Sequence, residues 1–312
     1  MNGFQRLCLL ACVVVFGLIV LGGVVRATGS GLGCPDWPRC HGSFIPQWEK
    51  HTLIEYSHRL TASIAGLLVL GVAIGAWRSY RRVPAIVLPA TAAFLLLLTQ
   101  AGLGGAAVLN ELPPEIIAVH LALAVTILSL LALIAITSFT LEAPLARPAV
   151  SRGFGRLALV AAAATLVLML VGSYVSGAGY GLACSGWPLC NGELIPSASA
   201  QSVQIHFLHR ALALGTGLII MALAYAGWRE RSRAPLAASM AGIALAIYLV
   251  QALIGAASIW TELSAGVGAA HLAFATLLWI VLAVLNIRVH ALCELLPLSS
   301  RAAANDLARA AR

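Results

Sequence analysis

The sequence predicts an all-α membrane protein of eight transmembrane helices, arranged as two tandem, pseudo-symmetric four-helix bundles. Three observations predict it. Of the 312 residues, 61% are hydrophobic and only 10% charged, where a soluble domain carries roughly 25% charged residues. Apolar runs near 5–25, 58–77, 85–108, 117–140, 157–176, 207–228, 236–259 and 267–288 reach the length of about 20 residues that a helix needs to cross a bilayer. Finally, the second half repeats the first. Gly31-Leu32-Gly33-Cys34-Pro35-Asp36-Trp37-Pro38-Arg39-Cys40-His41-Gly42 is answered by Gly181-Leu182-Ala183-Cys184-Ser185-Gly186-Trp187-Pro188-Leu189-Cys190-Asn191-Gly192, an offset of 150 (184 − 34). The offset becomes 151 from His58/His209 onward and holds at Trp77/Trp228, Gln100/Gln251, Glu111/Glu262 and His120/His271.

The elements follow in order. The first span, with Arg6 before it, has the outline of a signal peptide but no small-residue cleavage site after it, and 157–176 matches it in position; it is expected to be a structural helix. Spans one to four form the N-terminal half, 1–145, and spans five to eight the C-terminal half, 146–312. An even number of spans per half makes equivalent helices point the same way. Gly102, Gly104 and Gly105 near the end of the third span are expected to let helices approach closely. Gly29-Ser30-Gly31-Leu32-Gly33 has no strand before it and reads as a turn rather than a nucleotide loop.

The net charge of +8 is explained by topology, not by nucleic acid. Taking the N-terminal side as reference, its loops and tails hold Arg6, Arg78, Arg81, Arg82, Arg147, Arg152, Arg156, Arg229, Arg231, Arg233, Arg288, Arg301, Arg309 and Arg312; the other side holds Arg26, Arg39, Lys50, Arg59 and Arg210, a split of 14 to 5. Positive residues stay on the cytoplasmic side, so both termini are expected there, and no nucleic-acid partner is expected.

Ionisable residues inside a bilayer are costly and point to function. His58, His120, His209 and His271 each open an apolar run, and within each half the two are 62 residues apart (120 − 58 = 271 − 209 = 62). All four are expected at similar depth. Two imidazoles facing each other on neighbouring helices are what a haem iron needs, and helical bundles build such sites from facing side chains. The bland reading is histidines hydrogen-bonded between helices; the doubled spacing argues against it. Cys34/Cys40 and Cys184/Cys190 fall in the outer loops, where disulfides persist. Each pair is expected to close a small ring over a haem edge, structural or redox-active; the spacing fits neither zinc nor covalent haem attachment. Cys8, Cys12 and Cys293 are expected unpaired. His41, His51 and His290 are expected at the surface, and His206 is left undecided.

The copies also differ. Glu55 stands where the second half has His206, one turn from a ligand candidate; Arg26 stands against Ser176, and Asp36 against Gly186. An acid at Glu55 would move protons or stabilise positive charge; otherwise it is a helix-start acid favoured by the dipole. Arg59 and Arg210 directly follow ligand candidates and are candidate partners for haem propionates, as is Arg26 for nearby charge; snorkelling at the interface is the plainer alternative.

The two Gly-Leu-x-Cys-x-x-Trp-Pro-x-Cys-x-Gly loops, Glu55-Tyr56-Ser57-His58-Arg59, His209-Arg210, His120 and His271 together resemble the haem A synthase family, over essentially the whole chain. That resemblance implies an eight-helix enzyme of the bacterial cytoplasmic membrane that oxidises the C8 methyl of haem O to the formyl of haem A for cytochrome oxidase assembly. It implies haem O held by His58 and His120 with Glu55 as the catalytic acid nearby, and a haem b held by His209 and His271. Expected partners are haem O, the lipid bilayer and an electron donor or acceptor the sequence does not identify; haem O synthase, cytochrome oxidase assembly factors and a homo-oligomer are candidates. The main alternative is a di-haem cytochrome b that only passes electrons, linked to quinol. A repeat-built transporter would need broken helices at midplane, and no matched breaks occur at the span centres.

Overall fold

The computed structural model describes residues 1–142, 148–197 and 200–291. Among them are eight long helices: α1 (Gly3–Ala27), α2 (Lys50–Ser79), α3 (Pro84–Leu109), α4 (Pro114–Glu142), α5 (Arg152–Gly177), α6 (Gln201–Arg229), α7 (Pro235–Trp260) and α8 (Ala265–Asn286), the last running into a π-helical turn, Ile287–Ala291. All eight are long and apolar enough to cross a membrane, which makes this a multi-pass membrane protein. The expected boundary at 145/146, and Arg147, Cys293, Arg301, Arg309 and Arg312, lie outside the described residues.

Local chemistry starts and stops the helices. Asn2 and Gln5 form a reciprocal capping box on α1, and the Ser151 hydroxyl caps α5 by accepting from Phe154 N. Proline opens α3, α4 and α7, where its missing N–H would have had no partner. Helices α3 and α7 end alike: Leu112 N donates to Ala107 O and Leu263 N to Ser258 O, wrapping left-handed residues, Glu111 and Leu112 in one half and Glu262 and Leu263 in the other.

Helices α2 and α6 begin eight residues before His58 and His209 (58 − 50 = 209 − 201 = 8), so the histidines lie about two turns inside. The polar first turns stay helical because their side chains are bonded to the neighbouring loop, as described below.

Each half is a ring in which α1 packs on α2, α2 on α3, α3 on α4 and α4 on α1, and likewise for α5 to α8. The halves meet through α1, α4, α5 and α8, leaving the α2/α3 and α6/α7 pairs on the periphery. One core cluster fills the first half (Ala65, Val69, Ile86, Leu128, Leu131), with Trp279 and Ile280 of α8 packed against it. A second fills the other half around Phe154, Ile220, Leu223, Leu278 and Leu282. Trp279 ties the halves together, its Nε1 donating to Ser129 Oγ at 2.9 Å. At the end that carries the long loops, Arg26 of α1 donates to the carbonyls of Ser176 and Gly177, the last turn of α5. A guanidinium there complements the negative end of the α5 dipole.

Candidate functional site

Both expected disulfides are present, Cys34–Cys40 and Cys184–Cys190, each with Cα atoms 4.6 Å apart. Cys8 and Cys12 are free. The loops pack down on the bundles beneath. The Trp37 ring lies on Gly105 of α3, and Trp187 meets Trp260 of α7 edge-on, with centroids 6.0 Å apart.

Arg59 and Arg210 hold these loops. Arg59 Nη1 donates to the carbonyls of Asp36 and Arg39, and Nη2 to that of Cys34. Arg210 repeats the grip on the carbonyls of Gly186, Leu189 and Cys184. Each guanidinium therefore spends three donors on the backbone of one disulfide ring. The remaining Nε reaches one turn back along the helix. Arg59 Nε donates to Glu55 Oε1 at 3.0 Å; Arg210 Nε donates to His206 Nε2 at 3.3 Å. His206 Nδ1 lies 2.9 Å from Tyr180 O and 3.3 Å from Cys184 N, so the ring also touches the first residue of the disulfide. Glu55 and His206 are equally buried, each only 5% exposed. So the two halves share one frame and differ in its charge: an ion pair in the first, a neutral imidazole in the second.

Each loop is closed internally by a different side chain. Asp36 accepts from the backbone N–H groups of His41 and Gly42 at 2.6 and 2.8 Å. The Gly42 amide, above all, holds the Asp36 carboxyl below its ordinary range. Where the second loop lacks that aspartate, Asn191 takes over, its Oδ1 accepting from Ser185 N at 2.8 Å. His41 and Asn191, at matching positions, both reach the carbonyl of the residue before the first cysteine, Gly33 and Ala183.

The four histidines lie below the loops, all in equivalent surroundings. His58 rests its ring edge on Gly22 of α1, His120 on Gly104 of α3, His209 on Gly172 of α5 and His271 on Gly255 of α7. A Cβ at these glycines would fall 2.8 to 3.3 Å from the ring Cε1. The Nδ1 of every one of the four is buried with no hydrogen-bond partner. Sequence reasoning put each pair on neighbouring helices. The helices α2 and α4, and α6 and α8, are instead diagonal in their rings, which leaves the centre of each bundle between the two imidazoles.

Several supporting residues escaped the sequence reading. The seating glycines recur at the repeat offset (172 − 22 = 150, 255 − 104 = 151), which was the available signal. Gln100 Nε2 donates to His120 O at 3.0 Å, one turn from Gly104, and the Oε1 atoms of Gln100 and Gln251 are buried without partners. His290 is not a surface residue: its Nε2 contacts Gly155 O at 3.1 Å, joining α8's end to α5.

The donor set fits haem. Buried imidazoles carried in pairs on diagonal helices of each bundle, with no protein partner for Nδ1, are suited to axial ligation of iron. Metal-ligating histidines usually donate the second ring N–H to an acceptor; here glycine backbones close over that nitrogen instead.

Fold and site define a membrane-embedded, internally duplicated helical protein with one histidine pair in each bundle. The chain belongs to the COX15-CtaA family of cytochrome oxidase assembly proteins, whose profile matches residues 5–52 and 47–283. It is 32% identical over 226 residues to a protein named Heme A synthase from Shouchella clausii, 71% of this chain and 75% of that one. It is 30% identical over 274 residues to the Heme A synthase of Geobacillus kaustophilus, 86% of each chain. The Heme A synthase of Bacillus licheniformis is 29% identical over 285 residues, 89% of this chain and 93% of that one.

Proposed function

We propose that the protein is a haem A synthase that oxidises the C8 methyl of haem O to a formyl group. The first half takes haem O between His58 and His120, and the second keeps a haem b between His209 and His271. The disulfide loops face the outside and both termini the cytoplasm. The observation that carries this division is the charge difference at the buried partner of each clamping arginine: Glu55 with Arg59 against His206 with Arg210.

Written as half-reactions, methyl plus water gives the alcohol with two electrons and two protons. Alcohol plus water gives the aldehyde hydrate with two more of each, and the hydrate loses water. Haem b, when bound, would supply one-electron redox chemistry that passes these four electrons, one at a time, to the partner electron acceptor. The chain's own residues do the rest. His58 and His120 orient the substrate, seated by Gly22 and Gly104. The ring closed by Cys34–Cys40 and held by Arg59 shields that centre from water. Glu55 is the base that takes up a released proton, held one turn from His58 by its ion pair with Arg59.

The test is extraction of the haems from purified protein and their identification by mass. Haem b together with haem O, the alcohol or haem A supports the synthase. Haem b alone, even when haem O is supplied, supports the di-haem cytochrome instead. His209→Ala and His271→Ala are expected to lose the low-spin haem b signal while still inserting; a normal haem b spectrum in both would refute the ligand assignment.

A further inference from the structure

The two peripheral seams, α2/α3 and α6/α7, are equivalent by the repeat but are not fastened alike. In the second half Tyr248 of α7 lies on Gly217 of α6, with ring atoms 2.7 to 2.9 Å from where a Cβ would stand. Its hydroxyl donates to Ala213 O at 2.5 Å, one turn below His209. The aromatic ring and the bond together pin α7 to α6 one turn below His209, beside an apolar groove lined by Leu214, Leu218, Leu245 and Leu249. The equivalent residues of the first half are Leu97, Gly66 and Ala62 (248 − 151, 217 − 151, 213 − 151). The acceptor carbonyl and the glycine are both kept; only the tyrosine is missing. Leu97 makes an ordinary contact of 3.7 Å over Gly66 and has no group to donate. The first seam is fastened elsewhere: Trp77 Nε1 donates to Thr91 Oγ1 at 2.9 Å, near the end of α2 farthest from the disulfide loops. There the second half has Gly242 in place of the threonine, and Trp228 instead stacks on Tyr225.

We propose that haem O reaches the first-half site sideways, out of the bilayer, through the seam between α2 and α3. This rests on the reading above, in which the first-half haem must enter and leave while the second stays. The asymmetry has the sign that division requires. The seam is latched one turn below the histidine where the haem is resident. It is unlatched at that level, and tied only at its far end, where a haem is exchanged. Among the described residues the halves meet mainly through α1, α4, α5 and α8, so the α2/α3 seam lies at the periphery, towards lipid, the phase in which an apolar porphyrin dissolves. The Trp77–Thr91 bond acts as the hinge about which the upper seam parts.

The two seams permit a reciprocal test. Leu97→Tyr adds the latch to the first half, opposite a glycine and an acceptor carbonyl already in place; Tyr248→Leu removes it from the second. Haem O in liposomes is mixed with proteoliposomes of the full chain, and uptake is followed by absorbance. Loss of haem b from the second half to added apomyoglobin is followed separately. A neutral hydrogen bond is worth about 1 kcal/mol net, so Leu97→Tyr is expected to slow haem O uptake by about fivefold to tenfold, with haem b content unchanged. Leu97→Phe, which adds the ring without the donor, is expected to slow it less. Tyr248→Leu is expected to speed haem b loss by a similar factor. Uptake equal to the parent in Leu97→Tyr, or haem b loss equal to the parent in Tyr248→Leu, overturns the proposal. If Leu97→Tyr fails to retain haem b, Tyr248→Leu decides alone. The functional reading fails separately, and recognisably, if uptake by the parent survives His58→Ala and His120→Ala.

Discussion

At position 55 the chain buries a carboxylate, and at the matching position 206 an imidazole, yet both accept a bond from the arginine one turn on. Glu55 is thus a strut for the Arg59 clamp as well as the proposed base, and the two duties separate in Glu55→Gln. The amide still accepts from Arg59 but holds no proton. If the acid takes part in the chemistry, haem A formation drops by roughly 10²-fold while haem b stays; product near the parent level would show a strut only. The seating glycines make a second prediction. At Gly172 an added Cβ would stand 2.8 Å from His209 Cε1, so Gly172→Ala must turn the imidazole, at a typical overpacking cost of about 1–3 kcal/mol. The low-spin haem b signal is expected to shift in electron paramagnetic resonance, with haem content retained. Gly17→Ala, with nothing within 4 Å, is the control; identical spectra for both would deny Gly172 a seating role. The histidines were legible in the sequence because a polar residue recurring in apolar runs stands out. Of the seating glycines only Gly104 stood out, as a place of close helix approach; the rest did not, since glycine is common in membrane helices and its meaning lies in what packs on it.

The loops show what a sequence conceals at the scale of an element. Cysteine spacing and location were enough to expect two disulfides. The grip of Arg59 and Arg210 on the loop carbonyls was not foreseeable, because it spans 20 to 26 residues and depends on how the ring is folded. The start of α2 and α6 was missed for the same reason: the polar turns before His58 and His209 owe their order to the loop they hold. The loops also differ in pH dependence. The folded-state pKa of Asp36 is depressed, chiefly by the Gly42 N–H. Its contribution is therefore present above the ordinary aspartate value of 3.8 and is lost as pH falls through the lower, folded value. Asn191 closes the other ring without titrating. Hydrogen exchange at the amides of His41 and Gly42 is expected to quicken on acidification relative to that of Ser185. Equal response of the two loops would contradict the assignment.

For the whole molecule, composition and repeat sufficed to establish eight spans and the duplication, because both are one-dimensional properties. The ring order was beyond them. That α2 and α4 stand diagonally follows from packing against α1 and α3 and from the junction of the halves through α1, α4, α5 and α8. At that junction Arg26 reaches the carbonyl of Ser176, the residue that is its own counterpart in the repeat. A pair of identical subunits related by a twofold axis would set arginine against arginine at that contact. Ser176→Arg recreates the clash, placing two guanidiniums on one helix end that can satisfy one, and is expected to lower the melting temperature of the purified protein, less so in high salt. An unchanged melting temperature would refute this reading of the contact. With the arginine in one copy only, the junction is one-sided, and the two halves are not interchangeable across it.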